Sequence, residues 1–523
     1  MRDTSKEQAQ HVDFATSETS SDADARELAA IGKKSVLRRN FPPISILGLA
    51  CASTITWEGF FAVFVFALLN GGPGGMIYGF LICWAGWATV CATMSELVSM
   101  WPTAGGQYHW TYMLAPEGWK VSLSYITGWQ SVIAWQALMA SAAYLSATSL
   151  QGLVINSHPT YTPERWHGTL LVFAIVAVCF VCNTFLSKRL PQVEAVILFL
   201  HITLFIVVLS ILTAMSPTKS RNQDVWALFL NAGGYDSKGL SFFVGWITPV
   251  FAFSGADGTV HMSEETRNAS QVVPWAMMTS ILINGLTGFC MLIAVLYCIG
   301  DIDAALNTPT GYPFIEILTQ ATQSIGGGTA LSAFLVLMFC CASLTTLATS
   351  SRQLWAFARD DAVPNARFVK HVNPNMKVPL NSIAITSTIT CLLSLINIGS
   401  ATVFNAIVSL TIAGFFGSYL IPFSLFLYVR IKHPERVPPG PWTLGRWGVF
   451  VNAFAIVWGV VVMFFSFWPT SVPVTAMTMN WSSVLWSGVV LFALGFWWVH
   501  GRRVYKGPVI ETNVETLGRV EHA

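Results

Sequence analysis

Two carboxylates stand inside apolar runs of the kind that cross a membrane. Glu58 follows Ala52-Ser53-Thr54-Ile55-Thr56-Trp57, and Asp257 lies between Gly255 and Gly258 in a run that begins near Phe242. A charged side chain at bilayer depth costs about 2.5–3.5 kcal/mol even on lenient scales, so it persists where it is paired or where it works. Both carboxylates coincide with helix-breaking sequence. Pro249 lacks the amide that continues a helix, and Gly255 and Gly258 let the backbone leave it. Ser53, Thr54 and Thr56 carry hydroxyls that can satisfy backbone groups freed by a break. Unwound backbone survives in a membrane only where protein or a watery cavity surrounds it. The chemistry this allows is recognition of a small polar solute. Half-helix amino termini suit a carboxylate; Glu58, Asp257 or the faces of Trp57, Phe251 and Phe253 suit an ammonium. An aromatic cage with one carboxylate would serve a quaternary ammonium. For the aromatics the alternative is packing; for Asp257 it is capping of the next half-helix.

Glu194 and His201 lie seven residues apart in the fifth apolar run and share one helical face. Either side chain could exchange a proton near neutral pH once desolvated; pairing of Glu194 with Arg189 is the structural alternative. The eighth run offers Ser343, Thr345, Thr346, Thr349 and Ser350. Such hydroxyls line sodium sites or let helices approach closely. Outside the runs, Glu96, Glu264, Glu265, Arg352 and Arg359 could form ion pairs that gate the inner side, or a solvated collar. Pro102 to Trp110 reads as a glycine-punctuated interfacial or re-entrant piece. Asn480-Trp481-Ser482 is an outward glycosylation sequon close to the last run.

Composition decides what must position these residues. Of 523 residues, 54% are hydrophobic and 10% charged, against about 25% charged in soluble domains. The apolar stretches are long, numerous and evenly distributed, so the chain reads as an all-α polytopic membrane protein. Hydropathy predicts twelve transmembrane helices, the sixth broken over Leu240 to Met262 and the twelfth short, over Ser483 to His500. Residues 1–40 form a disordered polar tail without the apolar core of a signal peptide. Residues 41–500 form the helical body, made of two five-span units, 44–214 and 240–430, and two last helices, 447–500. Residues 501–523 form a second tail. With the amino terminus inside, the outer loops hold only Arg165, Lys219, Arg221 and Lys238 of the 28 Lys and Arg residues, which predicts two cytoplasmic tails.

Several function classes fall away. A net charge of +2 gives no reason to expect a nucleic-acid partner. The ten cysteines all lie in apolar runs, without zinc-type repetition, and read as small core residues. The ten histidines and 26 carboxylates do not cluster at ligand spacing, so no metal, cofactor or enzymatic centre is expected. No Walker-type loop occurs, which excludes that mode of ATP use.

The interruption in the sixth span repeats the one in the first, five spans earlier. This is the pattern of two five-helix repeats, the second inverted. A series of fragments in fixed order accompanies it: Ser53 through Gly59; Ser95-Glu96-Leu97; Pro102-Thr103-Ala104-Gly105-Gly106-Gln107-Tyr108-His109-Trp110; Leu190-Pro191 with Glu194 and His201; Ser254-Gly255 and His261 through Glu265; Arg352 with Ala356-Phe357-Ala358-Arg359-Asp360. On these residues the chain resembles the amino acid–polyamine–organocation (APC) superfamily, in particular its fungal-type amino acid, GABA and choline permeases, over about Phe41 to His500.

The resemblance implies a leucine-transporter-type fold, a 5+5 inverted repeat plus two carboxyl-terminal helices, and secondary active transport by alternating access. It places the substrate between spans one and six, beside spans three, eight and ten. It carries the binding role onto Ser53, Thr54, Trp57 and Glu58, and onto Phe251, Phe253, Ser254, Gly255 and Asp257, with Phe251 as an aromatic lid. Asp257 departs from the small or apolar residue commoner in the family. The implied cargo is a small amino acid or amine such as GABA. A choline- or polyamine-type organocation, or a transporter-like nutrient sensor, is the alternative; the 23 residues after His500 favour a transporter. The implied coupling ion is a proton, with Glu194 and His201 as candidates, and sodium at Thr345 and Thr346 is the other option. The plasma membrane is the expected location, with the vacuole or another internal membrane as the alternative.

Overall fold

The computed structural model describes residues 28–29, 32–33, 36–399, 403–476 and 478–509. Most of the two predicted tails, 1–27 and 510–523, lies outside the described residues. Span one is segmented into Pro43–Thr54, Thr56–Ala62 and Phe64–Leu69. Span two is Gly72–Met100 and span three Lys120–Ser157, with a short helix, Gln107–Leu114, between them. Spans four and five are Arg165–Phe185 and Leu190–Met215. Span six is segmented into Lys238–Gly245, Ile247–Ala252 and Gly258–His261. Span seven is Ala269–Cys298, and the helix Pro313–Thr322 leads into span eight, Ile325–Arg359. Spans nine to eleven are Leu380–Gly399, Val403–Lys432 and Gly448–Ser466, and span twelve begins with Ser482–Phe496. Among the described residues eleven helices are long and apolar enough to cross a membrane. The twelfth is span six, whose break leaves only Lys238–Ala252 as an apolar helix. The protein is an all-α polytopic membrane protein.

Lipid cannot hydrogen-bond a peptide group, so each long span satisfies its own backbone by forming a helix. Spans one and ten are almost entirely buried in the bundle, whereas spans five, eleven and twelve turn most of their surface outward. Two breaks interrupt this scheme where they are packed inside protein. In span one Ile55 adopts the left-handed region at φ 38°, which is costly for a β-branched residue. The amide of Thr56 beyond it donates to Asn284 Oδ1 of span seven at 3.1 Å. In span six Pro249 has no amide to give Gly245, and the helix steps there between Gly245 and Ile247. Thr56 Oγ1 donates to the Ala252 carbonyl at 2.9 Å, and Thr248 Oγ1 to the Val63 carbonyl at 2.7 Å. The two broken spans therefore satisfy each other's freed carbonyls.

Two surface expectations change. Pro102 to Trp110 does not lie on the membrane surface: Gln107, Tyr108 and Trp110 are fully buried, because the segment is drawn under span six. The sequon at Asn480 is closed, since Asn480 is buried and its amide donates to Ser409 Oγ and to the carbonyls of Ser466 and Trp468. Part of the segment before Phe41 is packed as well. Lys33 Nζ lies 2.9 Å from Asp360 Oδ1, which also accepts from the Val509 amide at 2.9 Å. Both ends of the described chain thus meet on one face, at the end of span eight.

Candidate functional site

The break in span six crosses the break in span one at Ser53. Gly255 has φ 93°, and a Cβ there would stand 2.8 Å from the Ser53 carbonyl oxygen. A Cβ on Gly258 would stand 2.9 Å from Ser53 Oγ and 3.2 Å from the Trp135 ring. Glycine is required at both positions because the two unwound segments touch. Ser53 and Thr54 return their hydroxyls to carbonyls of their own helix, Ser53 to Leu49 at 2.8 Å and Thr54 to Ala50 at 3.2 Å. Ser254 does the same toward Val250, at 3.1 Å. Such bonds satisfy the hydroxyls locally and favour bending of the helix near the breaks.

Asp257 is fully buried beside Gly258. It makes no capping bond to the next half-helix. Its Oδ2 accepts from Gln107 Nε2 at 2.6 Å, and its Oδ1 makes no well-formed hydrogen bond. Around it stand aromatic residues that the sequence did not single out. Tyr419 of span ten turns its hydroxyl to Asp257, close enough to interact with the carboxylate but without a well-formed hydrogen bond, and stacks on Phe415 at 5.6 Å. Trp135 of span three meets Phe415 edge-on at 5.4 Å. Phe253 is instead packed against Phe80, with ring centroids 5.4 Å apart, and Phe251 is buried two residues earlier. Trp135, Phe415, Tyr419 and Asn284 carry no local motif, and Gln107 lies inside the Pro102–Trp110 fragment without being marked as a site residue. The signal available for Gln107 and Asn284 was a buried amide beside or within an apolar run, which requires a partner.

Glu58 faces a different neighbour. His201 Nδ1 lies 2.8 Å from Glu58 Oε1, and Trp57 packs on the His201 and Phe205 rings at 6.0 and 6.1 Å. Two residues drawn separately from the sequence, one for substrate and one for coupling, form a single buried pair between spans one and five. Glu194, two turns before His201, accepts from Thr345 Oγ1 of span eight at 2.9 and 3.0 Å, not from Arg189. Thr346 returns its hydroxyl to the Ala342 carbonyl and stays apart from Glu194.

The face that carries the chain ends is closed by buried ion pairs. Arg359 binds Glu264 through two bonds of 2.8 Å, and Arg352 Nε binds Glu265 at 2.8 Å. Burial alone would raise the Glu264 carboxyl, but the Arg359 guanidinium outweighs it and holds the group down at about 2. Burial, followed by the charge of Lys33, pulls nearby His109 down to about 3. Glu96 does not join this cluster. It pairs with Arg430 of span ten and accepts from Thr443 Oγ1 at 3.0 Å, which fastens the loop after span ten to span two. At the opposite face a cavity of about 530 Å³ opens between spans one, three and ten, lined by Ala62, Phe66, Tyr144, Thr148, Tyr312 and Phe404. Ala62 in its lining lies four residues after Glu58.

Two interrupted helices crossed within a membrane bundle, with buried ion pairs on one face and a cavity at the other, are an arrangement found in secondary transporters. The amino acid permease family profile matches residues 42–491, and the chain belongs to this family within the APC superfamily. It is 30% identical to the choline transporter of Saccharomyces cerevisiae, over 92% of this chain and 85% of the relative. It is 26% identical to amino-acid permease 2 of Neurospora crassa, over 94% and 90%. A protein of Macrophomina phaseolina with a provisional amino acid/polyamine transporter description is 32% identical, over 84% of this chain and 97% of the relative. The protein is a transporter of amino acids or organocations, not an enzyme.

Proposed function

We propose that the protein is a proton-coupled permease for a small ammonium-bearing solute, with Asp257 as the anchor for the ammonium. The observation that carries this reading is a fully buried carboxylate at the crossing of two broken spans, whose Oδ1 makes no well-formed hydrogen bond although the Tyr419 hydroxyl stands beside the group. A buried carboxylate with half its acceptor capacity unused is costly, and a bound cation offsets that cost. The names of the relatives cover amino acids, polyamines and choline, and a positively charged nitrogen is common to all three. An amino acid or amine such as GABA is the first reading. A quaternary ammonium such as choline is the second, favoured by the Trp135, Phe415 and Tyr419 rings near the carboxylate.

The coupling proton is assigned to the Glu58–His201 pair, with Glu194 next along the same helix face. The hydroxyls of span eight support this choice over sodium. Thr346 and Thr349 bond within their own helix, Ser343 bonds Ser146, and Ser350 bonds the Trp135 carbonyl. The distribution of basic residues supports a cytoplasmic position for the face where Lys33 and Val509 meet Asp360, and the plasma membrane is the proposed location. Uptake of radiolabelled GABA, choline, lysine and putrescine into cells expressing the protein tests the reading. At least one should accumulate, with loss on addition of a proton uncoupler and no requirement for sodium. Accumulation that needs sodium and resists the uncoupler would overturn the coupling; no uptake of any cationic or zwitterionic solute would overturn the ammonium anchor.

A further inference from the structure

We propose that Gln107 is a positioning residue that occupies Asp257 while the site is empty, and that a substrate ammonium competes for the same carboxylate and so frees the start of the Gln107–Leu114 helix from the span-six break. The inference rests on the reading of Asp257 as the ammonium anchor. Gln107 opens the helix Gln107–Leu114, and both it and Asp257 are fully buried. The Gln107 Nε2 to Asp257 Oδ2 bond, at 2.6 Å, joins residues 150 apart in sequence.

His261 does not replace it. His261 Nδ1 lies 2.8 Å from the Ala104 carbonyl, which can only accept, so Nδ1 carries the proton. Its Nε2 stands 3.5 Å from Asp257 Oδ2, at ion-pair distance but without a hydrogen bond. Gln107 is thus the donor held against the carboxylate. Its other amide atom, Oε1, is buried and unpartnered. An amide with one half unsatisfied is a contact a stronger partner can displace, and an ammonium is the stronger partner.

The consequence reaches the seal formed by Arg359 and Glu264 through the same segment. The Ala104 amide donates to Glu264 Oε1 at 3.1 Å, and Thr103 Oγ1 reaches the same atom at 3.3 Å. Glu264 is the partner of Arg359. Gly106, at φ 51°, sits where a Cβ would meet Val260 at 2.9 Å, so the turn is pressed against the inner half of span six. The short helix is also tied to other elements, Tyr108 to Asp360 at 2.7 Å and Thr111 to Thr127 at 3.3 Å. Withdrawal of Gln107 removes the one side-chain tie from this helix to the span-six break, next to the ion pair that must open inward.

Two substitutions of opposite sign test this. Gln107→Leu removes the competitor and should lower KM about tenfold while lowering the maximal rate, because occupancy no longer triggers release. Gln107→Lys supplies a permanent cation to Asp257 and should raise KM about tenfold or more. A purely structural role would impair both variants alike, with KM unchanged. Hydrogen exchange of residues 101–114 in the purified full-length protein gives a readout independent of turnover, with choline, GABA and lysine as probes. At least one probe should speed exchange there in the wild type and none should in Gln107→Leu. Unchanged exchange with all three probes would overturn the proposal. If Asp257→Asn binds the active probe with wild-type KM, the underlying anchor reading fails. If Asp257→Asn loses it while both Gln107 variants keep wild-type KM, only the competition fails.

Discussion

His201 Nδ1 sits 2.8 Å from Glu58 Oε1, with both side chains sealed from solvent. Each group also keeps one buried atom without a partner, Glu58 Oε2 and His201 Nε2. A pair with a spare acceptor and a spare ring nitrogen can take up and give back a proton while remaining hydrogen-bonded. It lies between the broken span one and span five, so a change in its protonation acts on the half-helix that must move. Cys51 and Cys341 are the other titratable groups near Glu58.

Glu58→Gln and His201→Gln should each flatten the dependence of uptake on external pH and lower the accumulation ratio. Breaking one side of a buried pair costs about 3–5 kcal/mol, so each single variant should also melt earlier than the wild type. The double variant should be less destabilised than the sum of the two. Thermal melts of the solubilised protein check this; strict additivity would show that the residues do not act as a pair.

The seal formed by Arg359 and Glu264 should ignore physiological acidification. The Glu264 carboxyl is lowered from 4.5 to about 2, so its ion pair with Arg359 contributes fully above about pH 4.5 and is lost only as pH falls toward 2. Thiol labelling of a single cysteine placed beside Glu264 in an otherwise cysteine-free protein should not change between pH 7.5 and 5.5. Arg359→Lys forfeits the two-pronged contact and should raise that labelling at every pH. Labelling that rises steeply between pH 7.5 and 5.5 in the wild type would place a titrating group inside the seal.

Gly255→Ala tests the crossing of the two breaks. Its Cβ would press on the Ser53 carbonyl, and its φ of 93° disfavours any side chain. The substitution should cost about 1–3 kcal/mol and abolish uptake beyond the loss of surface protein. Wild-type uptake per surface molecule would mean that spans one and six are not held in contact during transport.

Hydropathy, proline and glycine made the spans and both breaks legible, because a membrane leaves the backbone few solutions and a departure from helix stands out. Asp257 was legible for the same reason, as a charge in an apolar run. The partners were not. Glu58 and His201 lie 143 positions apart, and Gln107 and Asp257 150 apart. No local pattern selects one buried donor over another when the choice depends on how spans pack. Trp135 and Tyr419 were hidden by number, since the chain holds 21 Trp and 12 Tyr and most aromatic residues in a membrane protein fill core or face lipid. Glu96 was grouped with the gate because it lies on the same face; its pairing with Arg430 is set by the loop after span ten.

The central claim is that Asp257 binds the positive charge of the substrate, and its most direct measurement is a comparison of Asp257→Asn with the wild type. Concentration-dependent uptake of the accumulated solute is measured at matched surface expression. Loss of a charged hydrogen bond is worth about 1.5–3 kcal/mol, which predicts an apparent affinity reduced about 10- to 150-fold for a cationic or zwitterionic solute. Unchanged affinity in Asp257→Asn at wild-type surface levels would contradict the account and leave Asp257 as a structural partner of Gln107.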